Sequence, residues 1–247
     1  MDFNFGEDQQ QLRDAVAKWV EKGYDFERRR SIVASGGFSR EAYGELAELG
    51  LTGLAVPEHL GGLGMGPVEA MVVMEELGRG IVLEPLAQAL IAGVVLGHHA
   101  GADVQQAWGP RVASGEALVV LAHQERKARY RLSHCTTTAQ ADGGAFKVSG
   151  AKSIVAVGDR ADAFIVPALC DGQMGLYLVQ AGAAGVSTRG YLTQDGGRAA
   201  ELVLAQAPAT LITTQGLPAL EHAVDVGIAA LCAEAVGAME KTLALTI

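Results

Sequence analysis

The run Ala122-His123-Gln124-Glu125-Arg126-Lys127-Ala128-Arg129-Tyr130-Arg131 gathers a histidine, an amide, a carboxylate, four cations and a phenol. Lys127, Arg129 and Arg131 put positive charge where a pyrophosphate could approach, and guanidinium groups hold phosphate through paired N–H donors. The competing reading of the same residues is a solvated loop. Gln124 brings an amide that both donates and accepts. His123, on an alternating apolar run, is either a ligand contact or a satisfied core residue. The other basic run, Arg28-Arg29-Arg30, reads as a solvated helix end. Glu221 and Glu234, on a C-terminal helical stretch, read as surface or interhelical carboxylates. Six histidines contain neither H-x-x-x-H nor H-E-x-x-H, so no metal site is expected. Cys135, Cys170 and Cys232 are odd in number and lack a C-x-x-C, which suits a reducing, cytoplasmic compartment.

These groups need a scaffold, and 247 residues are enough for two or three domains. Hydrophobic residues make up 49% but aromatics only 5%, so the cores must be built from Ala, Val and Leu. A net charge of -9 without a basic stripe disfavours nucleic acid. Mean hydropathy is +0.22, yet the longest apolar stretch, Leu86 to Gly97, is interrupted by Gln88. It is shorter than the roughly 20 residues that span a bilayer, so no membrane span is expected. The acidic, polar N-terminus predicts no signal peptide.

Helical periods come first. Leu12, Val16, Trp19 and Val20 share one face of a helix over residues 7–22. Ser39 is placed to cap a helix running to Leu49. Pro67 suits the first turn of a helix to about Gly78. Residues 84–108 read as one or two buried helices broken at Gly97 to Gly101. From Ala117 the pattern turns to short apolar runs: Ala117–Ala122, His134–Ala139, Ala145–Ser149, Ser153–Val157, Ala163–Ala168, Met174–Gln180 and Glu201–Gln206. Asp142-Gly143-Gly144 is a hairpin signal. From Gly216 a helical stripe returns through Leu220, Val224, Ile228, Leu231, Ala235 and Met239, with no C-cap signal before Ile247. The expected fold is multi-domain α and β. An N-terminal all-α bundle (1–114) is followed by a small β-barrel or sandwich (115–213) and the first helix of a helical bundle (214–247).

Glu48 to Gly64 reads E-L-G-L-T-G-L-A-V-P-E-H-L-G-G-L-G: a helix end, an apolar run, and a P-E-x-x-G-G-x-G turn before the next helix. Together with Phe5-x-x-Asp8-Gln9, Glu75-Glu76-Leu77-Gly78 and the α, β, α order, this pattern resembles the acyl-CoA dehydrogenase family over the whole chain. The resemblance implies FAD held by two β-domain segments. One, roughly V-T-E-P-G-A-G-S-D in the family, falls on Ala122 to Arg131; Glu125 matches, Gln124 replaces Thr, and Lys-Ala-Arg-Tyr replaces the small turn. The other, G-x-K-x-W-I-T-N, falls on Gly150 to Val157; Gly150 and Lys152 match, Ile154 replaces the aromatic and Ala156 the hydroxyl residue. The flavin-contact residues implied are His123, Gln124, Glu125, Tyr130, Ile154, Val155 and Ala156. Ile154 can pack on a ring but not stack as Trp does, and Ala156 has no side-chain donor.

The reaction the family implies is α,β-desaturation of an acyl-CoA thioester. A glutamate removes the α-proton while the β-hydrogen leaves as hydride to flavin N5. Electron-transferring flavoprotein is the implied electron acceptor, and homo- or hetero-oligomers of such subunits the implied assembly. The matching place for a first-helix base is Gly227, which cannot act as one, so the base is expected beyond Ile247. The H-Q-E triplet with Thr193 to Glu201 (T-Q-D-G-G-R-A-A-E) resembles small subunits of heteromeric acyl-CoA dehydrogenases, of the pimeloyl-CoA or steroid side-chain type. Three functions stand from these residues: a dehydrogenase subunit that takes part in catalysis, a non-catalytic partner that completes a homologue's site, and a flavin oxidase or monooxygenase on the same fold.

Overall fold

The computed structural model describes residues 4–247; residues 1–3, on which the signal-peptide reading partly rests, lie outside it. Helix α1 (Glu7–Gly23) begins where Gln9 Oε1 accepts the Gly6 N–H at 3.0 Å, and it buries Val16 and Val20. Burying such side chains contributes about 1.5–3 kcal/mol each. Helix α2 (Phe26–Ala34) is an addition to the expected elements. Ile32 is its one buried residue, too little to print a helical period, and Asp25 caps it by accepting the Arg28 N–H at 2.7 Å. The run Arg28 to Arg30 therefore lies within a helix rather than at its end. Helix α3 (Arg40–Glu48) has the expected cap, Ser39 Oγ accepting the Ala42 N–H at 3.1 Å.

The P-E-x-x-G-G-x-G turn folds back on the apolar run before it. Leu63, Gly64 and Met65 donate to the carbonyls of Gly53, Val56 and Leu54 at 2.8–2.9 Å. Gly61 adopts φ 84°, and a Cβ on Gly62 would stand 2.0 Å from the Val56 carbonyl oxygen. Only glycine fits that approach. Helices α4 (Pro67–Gly80), α5 (Leu86–His99) and α6 (Ala102–Ala113) follow.

The middle of the chain is a strongly bent sheet of seven strands: β1 (Val119–Leu121), β2 (Thr138–Asp142), β3 (Ala145–Ala156), β4 (Ala163–Cys170), β5 (Gln173–Gln180), β6 (Val186–Leu192) and β7 (Arg198–Thr213). Pairings β2–β3, β3–β7, β7–β5, β5–β4 and β4–β2 close a small barrel, with β1 added on β4 and β6 on β7. The two expected runs at 145–149 and 153–157 are one strand. Register shifts between Val148 and Gly150 and between Lys152 and Val155 break its apolar pattern without breaking its pairing to β7. Strand β7 is far longer than the expected 201–206. Strand β6 has no buried residue and left no apolar run to read. Of His134–Ala139 only the last two residues are strand; the others lead into it.

Helix α7 (Gly216–Thr246) carries the expected period in a different phase. Its buried face is Ala219, Leu220, Ala223, Gly227, Ala230, Ala233 and Gly237. Ile228, Leu231 and Met239, expected inward, are 55%, 59% and 63% exposed. The small residues face in because α4 comes unusually near: a Cβ on Gly237 would stand 1.8 Å from the Glu75 carbonyl oxygen. Large side chains on that face would push the helices apart. Helix α7 is also long and apolar enough, with mean hydropathy 1.4, to cross a bilayer by length and composition. The expectation of no span considered only Leu86–Gly97. Here α7 instead packs its small-residue face on α4, α5 and β5.

Candidate functional site

A cavity of about 500 Å³ opens where α4, the start of α5, the barrel and α7 meet. Its lining includes Gln88 and Ile91 of α5, Leu121, His123, Ile154, Ala156, Val157 and Asp195 of the barrel domain, Met74 and Ile81 at α4, and Val224 and Glu234 of α7. The barrel is tied to α5 here, since Gln88 Oε1 accepts the Leu121 N–H at 2.9 Å. His123 and Gln124 leave β1 directly over this contact. Past the end of β1, the Gln124 carbonyl accepts the Ser153 N–H of β3 at 2.9 Å, which sets the two segments side by side.

Ile154 stands 60% exposed on the cavity in a left-handed conformation, φ 54°. Val157 has φ 45°. A β-branched residue there is strained, at roughly 1–2 kcal/mol. The bulge between Lys152 and Val155 produces it and re-aims the side chains. Ile154 is thereby turned outward and Val155, 1% exposed, inward to the barrel core. His123 is pulled down to about 4 by burial and by the Lys152 charge, so its imidazole is neutral near pH 7. A neutral ring can accept at one nitrogen and donate at the other.

The seven residues implied as flavin contacts do not all converge. His123, Gln124, Ile154 and Ala156 line the cavity together. The Val155 side chain belongs to the barrel interior, and Tyr130 is 98% exposed on the loop beyond. The side chain of Glu125 is committed elsewhere. Its Oε1 accepts from Lys152 Nζ at 2.8 Å and from the Thr137 N–H and hydroxyl at 3.1 and 2.8 Å. Its Oε2 accepts from the Thr136 N–H and hydroxyl at 2.8 and 2.5 Å. Lys152 also donates to the Pro167 carbonyl at 2.9 Å. Burial alone would raise this carboxyl, but the bonds from Lys152, Thr136 and Thr137 outweigh it and hold the group far below the usual range. Glu125 and Lys152 thus pin the segment 125–137 to β3 and β4. In the basic loop, Arg126 pairs with Glu201 at 3.3 Å, while Lys127, Arg129 and Arg131 are exposed.

On α7, Gly227 borders the cavity, its Cβ direction 3.2 Å from Ile91 Cδ1. Glu234, read as a surface or interhelical carboxylate, also borders it. Burial, together with the Asp195 charge, raises its carboxyl. The signal was present in the spacing: Glu234 lies seven residues from Gly227, two turns on and on the same face. Glu221 is exposed and is not among the residues lining the cavity.

An apolar face at Ile154 beside the Gln124 amide and the His123 ring suits an isoalloxazine, whose carbonyls need donors and whose face needs apolar packing.

Residues 6–116 match the model of the acyl-CoA dehydrogenase N-terminal domain. The chain is 30% identical over 206 residues to acyl-CoA dehydrogenase FadE27 of Mycobacterium tuberculosis, covering 83% of this chain and 54% of that protein. It superposes on the Tcur3481–Tcur3483 steroid ACAD with TM-score 0.89 and 30% identity, covering 98% of this chain and 66% of that one. Against the ChsE4–ChsE5 complex of Mycobacterium tuberculosis the TM-score is 0.86 at 27% identity, covering 100% of this chain and 67% of that one. The chain therefore spans about half to two thirds of the length of these relatives. With the helical domain, the closed barrel and the cavity between them and α7, these likenesses establish that the chain belongs to the acyl-CoA dehydrogenase family.

Proposed function

We propose that the chain is a subunit of an FAD-dependent acyl-CoA dehydrogenase that desaturates an acyl-CoA thioester at the α,β position. The observation that carries this reading is the cavity on which Ile154, Ala156, Gln124 and His123 converge opposite Gly227 of α7. Ile154 and Ala156 would hold the ring face of the flavin, with Gln124 and His123 as polar contacts at its edge. When bound, FAD supplies the hydride acceptor. The apolar walls from Leu77, Ile228 and Leu231 exclude water from the acyl group, which strengthens every electrostatic contact there. Electron-transferring flavoprotein is the proposed electron acceptor, and a cytoplasmic location is part of the same proposal.

A second reading has a specific observation in its favour. Gly227 has no side chain to remove a proton, and the small turn of the family's flavin segment is replaced by Lys127 to Tyr130. One of the similar structures is the ChsE4–ChsE5 complex, and another, the Tcur3481–Tcur3483 steroid ACAD, also joins two names. In that reading the chain completes the site of a homologous partner and supplies no base.

The test is a flavin absorbance spectrum of the chain purified alone and co-purified with a homologous partner, before and after adding acyl-CoA. An oxidised-flavin spectrum in the lone chain that bleaches with acyl-CoA supports the first reading. Flavin and bleaching in the complex alone support the second. Absence of flavin from both preparations overturns the proposal.

A further inference from the structure

Among the described strands, β1 pairs only with β4. On that side the Ala122 N–H donates to the Ile165 carbonyl at 2.9 Å. Successive N–H groups of a strand point to opposite edges, so the Leu121 N–H faces the open one. The Gln88 side chain of α5 stands there in place of a strand, Oε1 accepting that N–H at 2.9 Å. This bond identifies the amide oxygen and therefore fixes where the nitrogen lies. Nε2 carries two N–H donors, and no acceptor takes either among the described residues. Gln88 is half-buried and lines the cavity.

The wall beside this donor is apolar. Ile91, one turn further along the same face of α5, meets Gly227 of α7, its Cδ1 3.2 Å from the Cβ direction there. Ile91 and Leu121 belong to one apolar cluster, with Val224 packed against it. An amide held in place among apolar groups gains a bond from a ligand acceptor and stays unpaired beside a plain hydrocarbon.

We propose that Gln88 is a specificity residue whose amide donates to a keto oxygen carried partway along the acyl chain. The inference rests on the acyl-CoA reading above and narrows its substrate class to acyl groups bearing oxygen. The preference for an acceptor follows from the bond to Leu121. With its oxygen held by the strand, the amide leaves its N–H groups to the ligand. A keto group accepts without donating, and one placed short of the amide or beyond it enters the apolar wall unpaired.

The experiment is isothermal titration of the preparation that carries flavin in the spectral test above. The ligands are straight-chain CoA thioesters of one length, with a single keto group stepped outward beyond the reacting carbons. At one position the keto thioester should bind about tenfold more tightly than those with the group on either side. Gln88→Glu keeps an oxygen for the Leu121 N–H but replaces the donor by an acceptor, and should abolish that preference. Gln88→Met removes both groups and should leave the whole series without a favoured position. Isotope-edited infrared spectra give a second readout on the unaltered chain. The stretch of the keto carbonyl at the favoured position should fall on binding, as a donated hydrogen bond requires. No favoured position, a preference that survives in either variant, or a stretch that rises on binding overturns the inference. If no thioester binds at all, the acyl-CoA reading falls and the inference falls with it, an outcome distinct from binding without a favoured position.

Discussion

Glu125 and Glu234 are carboxylates in opposite circumstances. Glu125, implied as a flavin contact, is enclosed by Lys152, Thr136 and Thr137 beneath the barrel wall. Glu234, read as a surface or interhelical group, borders the cavity and has no partner there. A carboxylate surrounded by donors is spent on structure, because each lone pair is already matched. One left unmatched beside a cavity is available to a ligand. Motif position singles out Glu125; the surroundings show its side chain committed to the barrel and that of Glu234 open to the cavity.

The sharpest way to break the contrast is to remove the partner of the enclosed carboxylate. Lys152→Met leaves Glu125 buried without its cation and should destabilise the fold by about 3–5 kcal/mol, read from the urea midpoint. The double variant Lys152→Met with Glu125→Met should recover part of that loss. Next in size, Gly237→Val forces a side chain into the Glu75 carbonyl and should cost about 3 kcal/mol by displacing α7 from α4. If stability is unchanged, the close approach of the two helices is refuted.

Acid sensitivity separates the two carboxylates by sign. Glu125 has a folded pKa below its unfolded value of about 4.3. Its contribution is complete above that value and lost as pH falls below it. Glu125→Gln should therefore flatten the decline of the urea midpoint between about pH 5 and pH 3. Glu234 has a raised folded pKa, so its charge opposes folding near neutral pH and protonation relieves it. Glu234→Gln should raise Tm slightly at pH 7, and the gain should disappear below about pH 4. A loss of stability at pH 7 would mean that Glu234 has a partner. The smallest effect is expected at the strained wall: Ile154→Gly removes both an apolar side chain and a left-handed penalty, leaving stability within about 1 kcal/mol.

Much of the fold was legible. The cap at Ser39, the proline start of α4 and the glycine turn at Gly61 to Gly64 are local devices, decided by the backbone preferences of a few neighbours. Helix α2 and strand β6 were not, since elements that bury few side chains leave no period. In the site, His123, Gln124, Ile154 and Ala156 could be placed by resemblance, while the turning inward of Val155 depends on a bulge that pairing with β7 creates.

Helix α7 marks the boundary most clearly. The sequence by itself determined that residues 216–246 are helical and apolar with a period near 3.6. It could not choose between the stripe of large residues through Ile228 and Leu231 and the stripe of small ones through Gly227 and Gly237. Either phase buries apolar surface, so local energetics do not separate them. The choice was made by α4, whose backbone comes so near that only glycine and alanine fit between the helices. That packing placed Glu234 on the cavity, whereas Glu125 is held within the barrel by Thr136, Thr137 and Lys152. The placing of Glu234 follows from close packing between segments more than a hundred residues apart, which no local pattern encodes.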